Sequence, residues 1–166
     1  MLIIVGTAIL RQASESHWKK FTSGEGAFSI LMPGRPKEEK ETQVINGMKL
    51  DVHQFSAWSR TDGEFSVGYV DAPVLPTVDA GERMLDAERQ SLTHGDGNRL
   101  LSIEKMNVNG YSVRQYKAIV DKGLQADEKL YLVKRRLYIL LVVHDKDRDE
   151  GDVKKFFDSF TFEPKE

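Results

Sequence analysis

Short runs of alternating apolar and polar residues recur along most of the chain, with turn-forming residues between them. The run from Phe65 to Val70 is typical, because Phe65, Val67 and Tyr69 share one side. A period of two residues predicts a β-strand with one covered face. By the same criteria we predict strands at residues 18 to 21, 28 to 32, 42 to 45, 48 to 57, 100 to 107, 111 to 120, 129 to 133 and 137 to 144.

Turn signals indicate how these strands connect. Asn46-Gly47 and Asn109-Gly110 each separate two predicted strands, and Asn-Gly favours a two-residue hairpin because both residues tolerate positive φ. The basic residues 134 to 136 fall at another tight turn, whereas the polar residues 121 to 128 are predicted to form a loop. Since residues 137 to 143 are apolar on both sides, their strand is predicted to be central in the sheet.

A helical spacing replaces the alternation in two places. Residues 79 to 92 form one predicted helix, with Asp79 as its capping residue. The face predicted to lie on the sheet contains Val78, Gly81, Met84, Leu85, Glu88 and Leu92. A shorter helix runs through Val153, Phe156 and Phe157. Two helices and short strand connections predict an α+β fold in which a central antiparallel β-sheet is flanked by helices.

The N-terminal segment, residues 1 to 16, has a different pattern. Residues 2 to 10 are apolar apart from Gly6 and Thr7, a run shorter than the ~20 residues that span a bilayer. Two interpretations stay open: the remnant of an export signal or membrane anchor, or a short apolar element that packs on the domain. Export or membrane association is accordingly weighed equally with a cytoplasmic location. Residues 17 to 166 are predicted to form a single α+β domain.

Composition narrows the classes of function. The 166 residues are 40% hydrophobic and 30% charged, the mixture of a chain that folds around its own core. A formal charge of −2 provides no long-range field for nucleic acid or anionic lipid, so no nucleic-acid partner is expected. Cysteine is absent, which removes disulfides, thiol nucleophiles and thiolate metal sites.

Three motifs together resemble the PsbP/Mog1-like superfamily. They are Trp18 to Phe21 followed by Phe28-Ser29-Ile30-Leu31-Met32-Pro33-Gly34-Arg35-Pro36, then Phe65-Ser66-Val67-Gly68-Tyr69-Val70-Asp71, and finally Phe156-Phe157-Asp158-Ser159-Phe160. The resemblance implies a central antiparallel sheet sandwiched by helices, as in bacterial PsbP-like domains of unknown function. Members act as extrinsic subunits of photosystem II, bind a small GTPase or have no known role. The resemblance therefore implies non-catalytic binding and carries over no site residues.

Glu88 is the main candidate for a functional residue. It falls between Met84 and Leu92 on the apolar face of the longer helix, where burying an unpaired carboxylate is costly. One interpretation is structural: the side chain reaches the edge of the helix or pairs with an Arg or Lys from the sheet. The other is a pocket carboxylate with a raised pKa that performs acid or base chemistry.

The remaining candidates for chemistry are weaker. Residues 145 to 151 space acidic side chains as a calcium loop does, but an EF-hand would need Gly and Glu where the chain has Glu150 and Phe156. His17, His53, His94 and His144 lack the spacing of a zinc motif, so no metal and no cofactor are predicted. Nucleophile-elbow and phosphate-loop motifs are absent from the sequence, and no catalytic residue is predicted.

The sequence thus predicts a non-catalytic binding or accessory domain that engages a protein partner. Trp58 is a candidate exposed aromatic residue for that contact. The alternative is a small-ligand-binding protein or an enzyme with a pocket beneath the longer helix near Glu88. Membrane association is expected only through residues 1 to 16.

Overall fold

The computed structural model describes residues 18–45, 47–59, 63–148 and 150–163. The N-terminal segment of residues 1 to 16, together with His17 and Asn46, lies outside this described part. The described elements are β1 (Trp18–Ser23), β2 (Phe28–Pro33), β3 (Lys37–Ile45), β4 (Met48–Ser59), β5 (Gly63–Asp71), α1 (Val78–Thr93), β6 (Arg99–Val108), β7 (Tyr111–Val120), β8 (Leu124–Val133), β9 (Arg136–His144), α2 (Gly151–Asp158) and β10 (Thr161–Phe162).

Seven strands form the main sheet in the order β3-β4-β5-β9-β8-β7-β6. Every pair of neighbouring strands in the main sheet is antiparallel. Strand β9 lies at the centre of this order, which confirms the prediction made from its two apolar sides. The fold is α+β, as predicted.

The first two strands do not join the main sheet. β1, β2 and the short β10 form a separate three-stranded antiparallel sheet. This small sheet and α2 pack on one face of the main sheet, around a core that includes Phe28, Phe65, Tyr138 and Phe156. Helix α1 covers the opposite face, where Leu85 and Leu92 pack with Tyr116 and Ile139. The main sheet is therefore buried on both faces.

The backbone of the Asn109-Gly110 turn confirms the hairpin predicted there. Both residues have positive φ, 54° and 86°, as a type I′ turn requires. Asn107 supports the turn, because its side-chain oxygen accepts a hydrogen bond of 2.9 Å from the Gly110 backbone N–H. At the other predicted hairpin, Ile45 pairs with Met48 across the turn.

Helix α1 begins earlier than predicted, and a different residue caps it. The Thr77 hydroxyl, and not the Asp79 carboxylate, accepts a hydrogen bond from the Ala80 backbone N–H. Asp79 lies in the first turn, where its charge still interacts favourably with the helix dipole. Val78 does not lie on the sheet as expected, since 83% of it is exposed. The buried face of the helix consists of Gly81, Leu85, Glu88 and Leu92.

The largest error of the sequence analysis concerns residues 121 to 128, which were predicted to be a loop. A single 3-10 turn occupies Asp121–Gly123, and β8 begins at Leu124. Strand β8 pairs with both β7 and β9 from its first residues, so Asp127 and Glu128 are buried inside the main sheet. Two carboxylates that were assigned to solvent thus belong to the interior.

The two edges of the main sheet differ. Strand β3 forms one edge and carries the charged sequence Lys37-Glu38-Glu39-Lys40-Glu41. Strand β6 forms the other edge and exposes the apolar side chains of Leu101 and Ile103. Its pairing with β7 shifts register between Leu100 and Ser102, which is a β-bulge.

Candidate functional site

Glu88 lies on the buried face of α1, between the helix and the main sheet. Only 5% of the residue is exposed, so its side chain does not reach the edge of the helix. No ion pair between Glu88 and a Lys or Arg is found among residues 18–45, 47–59, 63–148 and 150–163. The two compensations expected for a structural role, exposure at the helix edge and pairing with a basic residue of the sheet, are thus not found for Glu88 among the described residues.

A second carboxyl group, Glu128, faces Glu88 from strand β8. Glu128 is 3% exposed and pairs in the sheet with Leu141 and with Tyr116, whose hydroxyl donates to the Leu85 carbonyl of α1. Its side chain thus points to the α1 side of the sheet. Glu128 Oε2 is buried and has no hydrogen-bond partner in the described part of the chain. We call Glu88 and Glu128 the acidic pair.

Both members of the acidic pair favour the protonated form. Burial raises the pKa of Glu88 to about 7, and a hydrogen bond from Ser91 offsets part of that rise. Burial also raises the pKa of Glu128 well above its ordinary value, and the charge of Glu88 raises it further. Arg114 of β7 does not compensate the pair, because its guanidinium binds Asp86 at 3.0 Å and Glu82 on the outer part of α1.

The opposite face of the same strand carries a different polar cluster. Asp127 Oδ2 is 2.8 Å from His144 Nε2, and it also accepts a hydrogen bond of 2.8 Å from the Gln125 side chain. Lys117 Nζ lies 3.5 Å from the second carboxylate oxygen and 2.8 Å from Glu150 Oε1. We call Asp127, His144, Gln125 and Lys117 the Asp127 network.

The Asp127 network keeps its carboxylate charged in spite of its burial. Burial by itself would raise the pKa of Asp127, but the hydrogen bonds from His144 and Gln125 and the charge of Lys117 hold it below the ordinary value. The hydrogen bond to Asp127 raises the pKa of His144, although burial opposes that rise. Both pKa shifts therefore favour the charged forms of Asp127 and His144, and Lys117 lies beside the carboxylate.

Exposed apolar side chains gather at one end of the main sheet. Val74 and Leu75, on the connection between β5 and α1, are 69% and 66% exposed, and Val78 at the start of α1 is exposed as well. This connection runs beside the β8–β9 turn, because the Ala72 backbone N–H donates to the Arg135 carbonyl at 2.7 Å. Val74, Leu75, Val78, Lys134 and Arg135 form what we call the apolar-basic end.

The β3–β4 hairpin projects past the main sheet at the same end. The last pair between β4 and β5 is Val52 with Val70, whereas β3 and β4 continue to pair as far as Ile45 and Met48. This two-stranded ribbon exposes Val44 and Met48. It extends the apolar surface at the end where Val74 and Leu75 lie.

A groove of about 390 Å³ opens at the apolar-basic end. The buried side chains of Val133 and Tyr138 line it, and Leu75, Lys134 and Arg135 stand at its rim. Arg136 also contributes, but its guanidinium is held by Asp71 through two hydrogen bonds of 2.7 and 2.6 Å. Arg136 also donates to the Glu25 carbonyl at 2.9 Å, so it fastens the small sheet to the main one.

The other residues singled out from the sequence take up separate positions. His53 stacks on Tyr69 at 4.5 Å, His94 follows α1 on the surface, and His144 belongs to the Asp127 network. Residues 145 to 148 form an exposed turn before α2, and the described Glu150 makes no side-chain capping bond. Trp58 is 43% exposed and lies at the opposite end of β4 from Met48.

The described residues contain neither a metal-ligand cluster nor a membrane-spanning helix. They contain no group of three or more His, Cys, Asp or Glu side chains that is placed to hold a metal ion. Within the same residues, no helix is long and apolar enough to cross a membrane.

A signal for the buried carboxylates was present in the sequence. Once residues 134 and 135 form a tight turn, the partner of β9 must be as long as β9 itself, which runs to His144. Register then extends β8 back to Gln125 and places Asp127 and Glu128 opposite apolar residues of the central strand. The length of a hairpin arm, and not the polarity of its residues, would have identified both sites.

Comparison with known proteins supports the fold. The structure of a cyanobacterial PsbP from Synechocystis matches 94% of this chain and 98% of its own, with a TM-score of 0.57 and 13% sequence identity. A protein of unknown function from Pseudomonas aeruginosa, described as a putative regulator, matches 78% of this chain and 84% of its own, with a TM-score of 0.41 and 14% identity. No protein-family model and no curated protein sequence matches the chain. The chain has a PsbP-like fold.

Proposed function

We propose that this chain is a non-catalytic protein-binding module that docks through its apolar-basic end. The observation that carries the proposal is the grouping of exposed Val74, Leu75 and Val78 beside a groove, at the end where the β3–β4 ribbon projects. Exposed apolar residues are ordinary when they are scattered, but a group beside a concave surface is typical of a contact for another molecule. The PsbP-like fold is consistent with such an accessory role.

The position of the buried acids also supports this proposal. Glu88 and Glu128 lie between α1 and the sheet and are almost fully buried, so a substrate would have to displace α1 to reach them. Asp127 is equally enclosed, and its Oδ2 already accepts the hydrogen bond from Gln125 and lies 2.8 Å from His144 Nε2. These groups fit a role in the interior better than a role in turnover.

One observation favours the alternative of a small-ligand-binding protein or an enzyme near Glu88. A carboxyl group with a pKa of about 7 is suited to general acid or base catalysis at neutral pH. That alternative requires α1 to move away from β7 and β8, and it would make Glu88 essential for the response to a ligand.

A matched pair of variants tests the docking proposal. Val74→Ser with Leu75→Ser removes apolar surface at the proposed contact, and Leu101→Ser with Leu124→Ser removes comparable exposed surface elsewhere. Each protein is used as bait in native extract, and the captured protein is then purified and its affinity measured directly. We expect one protein that binds the wild type and the Leu101/Leu124 variant equally and binds the Val74/Leu75 variant at least about tenfold more weakly.

Equal capture by both variants would contradict docking through the apolar-basic end. A ligand that stabilises the wild-type chain but not a Glu88→Gln variant would instead support the alternative site beneath α1.

A further inference from the structure

We infer that the partner presents a carboxylate next to an apolar side chain, with the carboxylate bound by Lys134 and Arg135 and the apolar side chain seated in the groove beside Leu75. This inference rests on the proposed function and adds the chemistry of the partner to it.

Of the basic residues at this end, Arg136 forms a salt bridge within the chain, whereas Lys134 and Arg135 form none in the described structure. Arg136 is neutralised by Asp71 and has a further hydrogen bond to the Glu25 carbonyl. Lys134 and Arg135 form no salt bridge in the described part of the chain, although Arg135 donates to the Pro73 carbonyl at 3.3 Å. Asp71 also lines the groove and the charge of Arg135 helps to lower its pKa, but both of its oxygens are bound by Arg136. Three basic residues thus face one carboxylate at the groove, which leaves it with an excess of positive charge.

The lining and size of the groove favour an apolar side chain of the partner as its occupant. Its inner wall consists of Val133 and Tyr138, and Leu75 borders it with most of its surface exposed. A volume of about 390 Å³ is in the range of pockets that enclose small ligands, so it admits a side chain rather than a folded surface. An extended segment with one large apolar residue beside Asp or Glu satisfies both the wall and the rim.

Lys134 has a backbone conformation that is unusual for a lysine. Lys134 has a φ of 56°, in the left-handed region where residues other than Gly and Asn are disfavoured. The corresponding hairpin between β6 and β7 uses Asn109 and Gly110 in that conformation. A lysine at this position places an exposed charge at the tip of the turn, beside Arg135 at the rim of the groove.

An anionic membrane surface would attract the same two cations, but the structure favours a protein. Lipid-binding patches usually combine about four to eight basic residues, whereas only Lys134 and Arg135 stand unpaired at the rim of this groove in the described structure. A flat bilayer surface also has no counterpart for a groove lined by Tyr138. We therefore infer that the groove binds a protein segment, and the test below includes lipid binding as a contrary outcome.

The test uses the full chain and a random peptide library displayed on phage. Peptides selected on the wild-type protein are sequenced, and the most enriched peptide is synthesised and its dissociation constant measured. Lys134→Asn with Arg135→Gln removes both charges while Asn keeps the turn conformation, so this variant is expected to fold. Leu75→Ser tests the apolar contact, and Lys19→Gln with Lys20→Gln, on the exposed part of β1, is the matched charge control.

We expect the selected peptides to share Asp or Glu next to Leu, Ile, Phe or Met. The Lys134/Arg135 variant should bind the peptide about tenfold more weakly, with most of the salt dependence lost, and the Lys19/Lys20 variant should bind it like the wild type. Amide signals of Ala72, Val74, Leu75 and Thr77, and of residues 134 to 136, should shift in NMR spectra when the peptide binds.

The outcomes separate the two proposals. Peptides that depend on Leu75 but lack an acidic residue, or that are insensitive to loss of Lys134 and Arg135, would overturn this inference and leave the docking proposal standing. A selection that yields no peptide dependent on Leu75 counts against both. Binding of the wild type, but not the Lys134/Arg135 variant, to phosphatidylglycerol vesicles in place of peptides would also overturn the inference.

Discussion

Asp127 and Glu128 are neighbours on strand β8, yet they lie on opposite faces of the main sheet and in opposite electrostatic states. Both are buried, with exposures of 1% and 3%. Asp127 has hydrogen bonds from His144 and Gln125 and a lysine close by, and its pKa is lowered. Each residue has one buried oxygen without a hydrogen-bond partner in the described part of the chain, but Glu128 has another carboxyl group facing it, and its pKa is raised.

The comparison shows that partners, and not depth, decide the charge of a buried carboxyl group. Burial alone raises the pKa of both residues. Donors on the α2 face reverse that effect for Asp127, whereas on the α1 face the charge of Glu88 adds to it for Glu128. Strand β8 therefore carries a carboxyl group with a lowered pKa on one side and a carboxyl group with a raised pKa on the other.

The two faces respond oppositely to pH. Asp127, with its lowered pKa, contributes stability that is present above its ordinary value of 3.8 and lost as the pH falls through its folded value. Glu88 contributes its full stability below its ordinary value of 4.5 and loses it as the pH rises through about 7. His144, whose pKa is also raised, contributes most below 6.5 and loses that contribution above it.

The largest effect is expected from breaking the ion pair. Asp127→Ala leaves the His144 imidazolium and Lys117 without their buried counter-ion, so we expect a loss of about 3 to 5 kcal/mol in the free energy of unfolding. Urea denaturation near pH 6 measures this loss. Asp127→Asn keeps the side-chain volume and separates the loss of charge from the creation of a cavity. A loss below about 1 kcal/mol for Asp127→Ala would mean that the network contributes little.

A smaller effect, of opposite sign, is expected from the acidic pair. A pKa of about 7 against 4.5 corresponds to roughly 3 kcal/mol of stability that the wild type loses from Glu88 between about pH 5 and pH 8. Glu88→Gln and Glu128→Gln should each flatten this decline, so that each variant is more stable than the wild type at pH 8. Thermal unfolding across this range checks the prediction.

The Glu88→Gln protein also provides the control for His144. This variant keeps the Asp127 network and Glu128, so a decline that persists above pH 6.5 is due to the histidine or to Glu128, and the variant that combines Glu88→Gln with Glu128→Gln isolates the contribution of the histidine. If the variant declines with pH as steeply as the wild type, the acidic pair does not carry the predicted cost.

The smallest effect is expected from removing a single donor. Ser91 forms a hydrogen bond with Glu88 that favours the ionised carboxylate. Ser91→Ala should therefore raise the pKa of Glu88 further and move the stability decline to higher pH, with a change of about 1 kcal/mol at pH 8. Carbon-13 NMR titration of the Glu88 carboxyl group measures the shift directly. An unchanged or lowered pKa would show that partners do not set the charge on this face.

The strand pattern was predictable from the sequence because the periodicities of its apolar residues are local. The alternation at Phe65, Val67 and Tyr69 and the two apolar sides of β9 gave strands in the right places, and the Asn109-Gly110 turn has the expected backbone. Separation of β1, β2 and β10 into their own sheet was not predictable. It depends on how distant faces pack, and no local pattern contains that information.

Only one of the two carboxyl groups of the acidic pair was predictable from the sequence. Glu88 stood out because a carboxylate interrupted an apolar helix face, but Glu128 did not, since it lies in a polar run that indicates a loop. Asp127 was hidden for the same reason. Burying these side chains is favourable only with neighbours that come from β7, β9 and α1, and those neighbours are not adjacent to them in sequence.

The bulge in β6 has a consequence for solubility. An open sheet ends in two strands with unpaired backbone groups, and an exposed edge with apolar residues such as Leu101 and Ile103 invites a further strand from another molecule. Strand β3 resists such growth with its row of charges, whereas β6 resists it with geometry, because the irregular register at Leu100 and Ser102 disturbs the spacing that an incoming strand would need. The two edges thus carry different features that disfavour edge-to-edge pairing, a row of charges on β3 and an irregular register in β6.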